Sequence, residues 1–438
     1  MRVALKTLGC RLNEAELENW SNDFLNLGYT ISNDPESADF VVLNTCAVTQ
    51  GAVKKSRQII RKIHRTNPMA KLIVSGCYAS LNPEIENEFE CIDLLVSNSN
   101  KDSLARIVDQ QLSSDAMPKL AAEVNETPLF LRGRNRAFIK VQDGCRYSCT
   151  FCIVTKARGN ERSKSIAEVV NQINTLQNQD IKEVILTGVH IGGYGSDRET
   201  DLYTLIDSVL KETDVERLRL GSVEPWDLSE NFFELLSNPR FMPHLHLPLQ
   251  SGSDTVLRRM ARRCKTKDFE QLLIQLRSCS QDFNVTTDII VGFPGEGDRE
   301  WQESMEFVES CGFSHIHIFP YSPRQGTKAA TFAEQVSPAA KKLRIQQLNL
   351  LAKRMRMEKM NHFRGSHFQV LVENCSETAI DGKLDYFGYT PNYLKVKIPS
   401  LDDPSLINNI RTVALTNYDE QSTLMNARFI NTIEAVNI

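Results

Sequence analysis

Short apolar runs alternate with amphipathic stretches through the first quarter of the chain. Residues 3–8, 40–44, 71–75 and 94–96 read as strands, and residues 14–27, 53–64 and a stretch after Lys101 read as helices. This alternation predicts a parallel sheet with helices packed on it. Ser113, Pro118 and Pro128 then interrupt the periodicity and mark residues 115–135 as a connector.

The same alternation resumes over the next 200 or so residues. Strands are expected at 137–141, 183–186, 217–220, 244–247, 287–291 and 315–319, with helices at 165–177, 203–211, 254–260, 269–279 and 300–309. Six strand–helix units predict a partial TIM-like (β/α)6 barrel, whose chemistry sits at the carboxyl ends of its strands. A long basic helix is expected at 338–363. Five short strands follow, at 368–373, 382–386, 393–398, 411–415 and 428–432, and these fit a small OB-like β-barrel. Tyr386, Phe387, Tyr389 and Tyr393 suit either base stacking or the core of that barrel. The fold class is α/β in three units: 1–115, 130–363 and 364–438.

The strand ends carry the candidate chemistry. Cys10, Cys46 and Cys77 each fall just past the carboxyl end of an expected strand. In a parallel sheet those ends share one edge, where open α/β folds bind ligands, so the three thiols should converge. Cys145, Cys149 and Cys152 lie in a single loop, Asp143-Gly-Cys-Arg-Tyr-Ser-Cys-Thr-Phe-Cys152, directly after the first strand of the second unit. Three ligands leave one metal position open for a substrate. Thiolates select iron–sulfur clusters or zinc. Structural zinc sites close with four ligands, and no fourth Cys or His has suitable spacing here. Cys91, Cys264, Cys279 and Cys311 show no ligand spacing. Among the remaining strand ends, Gly188, Gln250, Ser251, Ser253 and Gly292 are candidates for cofactor contact, because they follow three different strands onto one face.

Composition narrows the class. With 438 residues, 41% hydrophobic and 24% charged, the chain reads as about three globular domains. No apolar stretch reaches the roughly 18 residues of a membrane helix. The polar residues that soon interrupt the first apolar run argue against a secretory signal. A cytoplasmic location with no membrane partner is expected, and in that compartment the eleven cysteines should be ligands or free thiols. Net charge is −4, yet residues 52–71 carry Lys54, Lys55, Arg57, Arg61, Lys62, Arg65 and Lys71 with no acid. Residues 132–164 and 341–364 are also basic. Several such runs favour a polyanionic partner. From Ser366 onward acids outnumber Lys and Arg by nine to five, which is unsuited to gripping RNA.

The three-Cys loop resembles the signature of radical SAM enzymes, and the whole chain resembles the radical SAM methylthiotransferases. The residues carrying the likeness are Thr7-Leu-Gly-Cys-Arg-Leu-Asn13, Asn44-Thr-Cys-Ala-Val-Thr49, Ser75-Gly-Cys-Tyr78 and the 143–152 loop. Ala157-Arg-Gly159, Glu161-Arg-Ser163, Leu186-Thr-Gly-Val-His190, His246-Leu-Pro-Leu-Gln-Ser-Gly-Ser253 and Asp288-Ile-Ile-Val-Gly-Phe-Pro-Gly-Glu296 add to it. Within the family, the segments at 44–49, 186–194 and 317–326 look most like the MtaB type, which methylthiolates C2 of N6-threonylcarbamoyladenosine in tRNA. Isopentenyladenosine in tRNA and a ribosomal-protein aspartate are the alternative substrates. The resemblance implies an N-terminal methylthiotransferase domain, a radical SAM domain and a C-terminal TRAM domain. It implies two 4Fe–4S clusters, one on Cys145, Cys149 and Cys152 and an auxiliary one on Cys10, Cys46 and Cys77. It also implies S-adenosylmethionine as cofactor, tRNA as substrate and an external electron donor. Outside the enzyme class, an iron–sulfur RNA-binding protein would explain the basic runs but not two open three-Cys sets.

Overall fold

The computed structural model describes residues 1–112, 135–376 and 382–430. All of the expected connector but Asn135 lies outside the described residues, Arg132 and Arg134 included, as do residues 431–432 of the last expected strand. Among the described residues no helix is long and apolar enough to cross a membrane.

The first sheet is parallel, with order β2-β1-β3-β4-β5. Its strands are β1 (Arg2–Thr7), β2 (Thr30–Ser32), β3 (Phe40–Thr45), β4 (Lys71–Gly76) and β5 (Leu94–Val96). Alternate residues supply its two faces. Val3, Leu5, Val42 and Ile73 pack under Trp20 and Phe24 of helix Arg11–Asn26. Ala4, Val41, Leu43 and Val74 pack under Ile60 and Ile63 of helix Gln50–Thr66. Strand β2 is additional to the expected set, because only Ile31 of its three residues is buried and periodicity cannot register so short an edge.

The second unit contains β6 (Arg136–Lys140), β7 (Gln142–Asp143), β8 (Arg162–Ser163), β9 (Glu183–Thr187) and β10 (Arg217–Leu220). It continues with β11 (His244–His246), β12 (Asn284–Val291) and β13 (His315–Pro320). Two parallel three-stranded sheets, β6-β9-β10 and β11-β12-β13, are joined by the bridges Leu218–Phe241 and Ser222–His246. The result is a six-stranded partial barrel with β6 and β13 at its edges. Helices such as Ile166–Gln177, Leu202–Glu212 and Thr266–Cys279 bury Ile173, Leu205 and Leu276 against its outer face. Ser165 starts the first of these helices with a capping box to Glu168, which satisfies otherwise orphaned N–H groups.

Helix Pro338–His362, capped by Ser337, leads into the third unit. There β14 (His367–Cys375), β15 (Leu384–Tyr389), β16 (Lys395–Ser400), β17 (Ile410–Asp419) and β18 (Leu424–Phe429) form a closed barrel of order β14-β15-β16-β18-β17. This barrel sits on the amino-terminal ends of the (β/α)6 strands. Arg217 donates to Tyr389 O (3.0 Å) and Gln369 O (2.7 Å), Arg219 donates to Pro391 O (3.1 Å), and Asn284 donates to Asn392 O (2.8 Å). Arg136 pairs with Glu373 and lies 4.4 Å from the centre of the Tyr389 ring. Tyr393 stacks on Tyr389 and on His244, and Tyr386 is fully buried. The base-stacking option therefore fails for Tyr386, Tyr389 and Tyr393: one fills the barrel core and two form a cation–π seam between units.

Candidate functional site

The carboxyl ends of β1, β3 and β4 bring Cys10, Cys46 and Cys77 together. Burial first, and then the neighbouring thiols, push Cys10 and Cys46 up. Local packing requires the glycine before Cys77. Gly76 has φ +97°, and a Cβ there would lie 2.3 Å from Thr45 O. Asn13 stitches two of the loops by donating to Leu8 O (2.6 Å) and Thr45 O (3.5 Å), and its Oδ1 accepts from Cys10 Sγ (3.7 Å). Asn98 Nδ2 reaches Cys77 Sγ at 3.8 Å and Ala157 O at 2.7 Å.

The second triad is held differently. Gly144, at φ +76°, opens the loop, and a Cβ there would overlap Asn160 O at 1.9 Å. Cys145 N–H donates to Gly159 O (3.1 Å), Thr150 N–H to Met260 O (3.1 Å), and Ala329 N–H to Thr150 O (2.8 Å). Burial, then neighbouring thiols and carboxylates, push Cys145 up to about 11 and Cys152 up to about 12. Such thiols become thiolates when a metal centre is bound to them. Arg262 sits beside Cys149, is clamped by Glu224 at 2.9 Å, and lies 4.4 Å from the Trp226 ring centre. On the other side, His190 bridges Glu161 (2.7 Å) and Asp227 (2.6 Å), and Tyr147 donates to Asp227 (2.9 Å). Burial alone would lower the His190 pKa, but these two carboxylates outweigh it and raise it.

A buried ionic seam joins the triads. Arg158, six positions after Cys152, bonds Glu16 Oε1 (2.9 Å), Asp143 Oδ1 (3.0 Å) and Asn13 Oδ1 (3.0 Å). Glu16 also pairs with Lys101 (2.7 Å) and accepts from Asn44 Nδ2 (2.9 Å). Lys140 joins Asp102 (2.6 Å) to the group. Burial would raise the Glu16 carboxyl, but Lys101, Arg158 and Lys140 together hold it well below the usual carboxylate range. Asn13, Asn44 and Arg158 stand inside the family-like motifs, yet their place in those motifs assigns them no role. The available signal was polar Asn13 and Glu16 on the same helical stripe as apolar Leu17 and Trp20. The seam also revises the basic run 132–164, since Lys140 and Arg158 are each 4% exposed and face carboxylates rather than a polyanion. Lys54, Lys55, Arg61, Lys62 and Arg65 of the 50–66 helix are exposed.

The cofactor candidates sit on the carboxyl rim with varied surroundings. Gly188 packs on Gln142, whose Oε1 accepts from His190 N–H (2.8 Å). Gln250 takes φ +75° and exchanges backbone bonds with Asp288 and Ile290. Ser253 donates to Glu303 (2.8 Å) and Gly252 N–H to Ser304 Oγ (2.8 Å), which fix the loop against helix Asp298–Cys311, and Ser251 accepts from Ser253 N–H (3.3 Å) within the loop. Gly292 N–H donates to Glu296 (2.9 Å), and the Lys341 stem crosses directly over the glycine. Cys279 is exposed and Cys311 is core, while Cys264 lies near the Arg262–Glu224 pair that also flanks Cys149.

The donor sets suit iron–sulfur clusters. Both are all-thiol and three-membered, at strand ends, with cationic side chains alongside.

Residues 2–97 match the Uncharacterized protein family UPF0004, and residues 139–308 match the Radical SAM superfamily. The chain is 35% identical over 412 residues to a threonylcarbamoyladenosine tRNA methylthiotransferase MtaB of Bacillus subtilis, covering 92% of this chain and 91% of that protein. The chain belongs to the radical SAM methylthiotransferases. A further relative in this family is a tRNA-2-methylthio-N(6)-dimethylallyladenosine synthase of Geobacillus thermodenitrificans, 32% identical over 86% of this chain and 75% of that one. Among solved structures, the radical S-adenosylmethionine methyltransferase TsrM of Kitasatospora setae shares the fold at TM-score 0.57, with 15% identity over 75% of this chain and 77% of that one. As a radical SAM methylthiotransferase, the chain belongs to a superfamily defined by one 4Fe–4S cluster and S-adenosylmethionine.

Proposed function

We propose that this enzyme adds a methylthio group to C2 of N6-threonylcarbamoyladenosine beside the anticodon of tRNA. The observation that carries the reading is the 35% identity, over more than nine-tenths of both chains, to a methylthiotransferase named for that nucleoside. Two all-thiol triads joined by one ionic seam support it. Cys145, Cys149 and Cys152 would hold the radical SAM cluster, and Cys10, Cys46 and Cys77 an auxiliary 4Fe–4S cluster. When bound, these groups supply one-electron cleavage of S-adenosylmethionine at the first site and sulfur for methylation and transfer at the second. The electron comes from an external donor.

The chain's own residues position and insulate that chemistry. Arg262, fixed by Glu224, offers a guanidinium to the Cys149 sulfur and offsets thiolate charge. Arg158 does the same for the auxiliary triad while remaining tied to Asp143 beside the radical loop. Gly188, Gln250, Ser251, Ser253 and Gly292 are read as the rim that frames S-adenosylmethionine, with the serines shaping the loop that presents Gln250. The units 1–115, 130–363 and 364–438 are read as methylthiotransferase, radical SAM and TRAM domains. The exposed face of the 50–66 helix is the proposed tRNA contact. Nucleoside mass spectrometry tests the reading: tRNA from cells carrying the gene should contain 2-methylthio-N6-threonylcarbamoyladenosine, and tRNA from a deletion strain should not. Loss of a methylthio dimethylallyladenosine instead would replace the substrate.

A further inference from the structure

The inner face of the partial barrel carries a polar cluster that none of the cysteine chemistry uses. Alternation along β11, β12 and β13 sends Leu245, Val285, Ile289 and Ile316 beneath the outer helices. It sends His246, Asp288, His317 and Phe319 to the opposite face. Ligand atoms of His246, Asp288 and His317 lie within 4.8 Å of one another. Thr286 Oγ1 holds His246 Nδ1 at 2.9 Å, which leaves Nε2 to meet Asp288 at 3.2 Å. Asp288 is thus held beside the His246 ring. His317 and Phe319 are exposed on β13, an edge strand of the barrel, and their rings are 6.5 Å apart.

An arginine faces the same cluster from the neighbouring helix. Arg356, from the long helix that packs on β13, is near enough for its guanidinium to act on both His315 and His317. Its Nε is buried without a hydrogen-bond partner, and no carboxylate among the described residues pairs with it. Among the described residues this half-buried guanidinium, beside two imidazoles and near an exposed aromatic ring, makes no ion pair of its own, which leaves it open to an anionic ligand.

We propose that this face is the subsite for the modified purine, with Phe319 stacking on the base and Arg356 and His317 taking the carboxylate of its N6 substituent. The inference rests on the threonylcarbamoyl reading above, and it names the residues that make the enzyme prefer an anionic substituent. An apolar dimethylallyl group would leave Arg356 unpaired, and a site built to bond a polar group rejects an analogue lacking it.

The test compares anticodon stem-loop RNA bearing N6-threonylcarbamoyladenosine with the same RNA carrying its methyl ester, on reconstituted holoenzyme. The unsubstituted enzyme should favour the acid by about tenfold or more in kcat/KM, the loss expected when a charged hydrogen bond is removed. Arg356→Gln should lower that preference to under about twofold, and His317→Gln should lower it partway. Iron content reports whether each variant is folded and loaded, and the acid-to-ester ratio of the unsubstituted enzyme needs no variant at all. Equal rates on acid and ester, or a full preference retained in Arg356→Gln, would overturn the subsite. So would a metal beyond the cluster irons that Asp288→Asn removes, because His246, Asp288 and His317 would then be a cation site. No methylthio product on the acid RNA would instead sink the substrate reading, and this inference with it.

Discussion

The two cysteine triads solve one problem in opposite ways. Cys145, Cys149 and Cys152 share a single loop, opened by Gly144 and strapped to Gly159, Met260 and Ala329. Cys10, Cys46 and Cys77 are 36 and 31 positions apart and meet only because β1, β3 and β4 are parallel neighbours. The first site is a local motif, and the second is a property of a folded sheet. A local site should tolerate disturbance of the rest of the molecule. A dispersed one should be sensitive to anything that shifts a strand end.

The largest effects should come from the two glycines. Gly144→Ala places a methyl in the Asn160 carbonyl, and reductive cleavage of S-adenosylmethionine should fall to background. Gly76→Ala pushes Cβ into Thr45. It should remove methylthio product while leaving cleavage in place, as followed by 5′-deoxyadenosine formation. If Gly76→Ala abolished cleavage as well, the two sites would not be separable.

Next in size is the seam. Glu16→Gln leaves Lys101 buried without its counter-charge and Arg158 with Asp143 alone, and breaking such a pair costs about 3–5 kcal/mol. The unfolding midpoint should drop accordingly. The pH dependence follows from the sign of the shift. Glu16 is held below its unfolded value, near 4.3, so its stabilisation is complete above that pH and is lost as pH falls toward the depressed folded value. The Gln variant should lack this acid limb, and an unchanged acid limb would mean that Glu16 does not carry it.

The smallest effect concerns the surface. Neutralising Lys54, Lys55 and Lys62 should weaken tRNA binding and reduce the salt slope of log K, by about 0.7–0.9 for each phosphate left without its lysine. An unchanged slope would move the RNA-binding face elsewhere.

The local motif and the sheet-end cysteines were both legible in the sequence, because strand ends in a parallel sheet fall on one edge whatever the details. The closed C-terminal barrel was legible from strand spacing, but its docking was not. Arg136, Arg217 and Arg219 look like ordinary strand residues until the barrel is seen to close, when they point to Tyr389, Pro391 and Gln369. The His190 bridge between Glu161 and Asp227 spans 66 positions of chain from Glu161 to Asp227, and no period connects its members. Arg158 was hidden for a further reason. A lone arginine in a basic run reads as surface, and only the folded structure shows it buried against Glu16.

The most direct measurement uses a Cys46→Ala enzyme reconstituted without oxygen, assayed in one vial for iron, 5′-deoxyadenosine and methylthiolated nucleoside. Two independent sites predict about four irons where the unsubstituted chain holds about eight, cleavage of S-adenosylmethionine near the unsubstituted rate, and no methylthio product. Full iron content, or methylthio product at the unsubstituted level, would contradict the account.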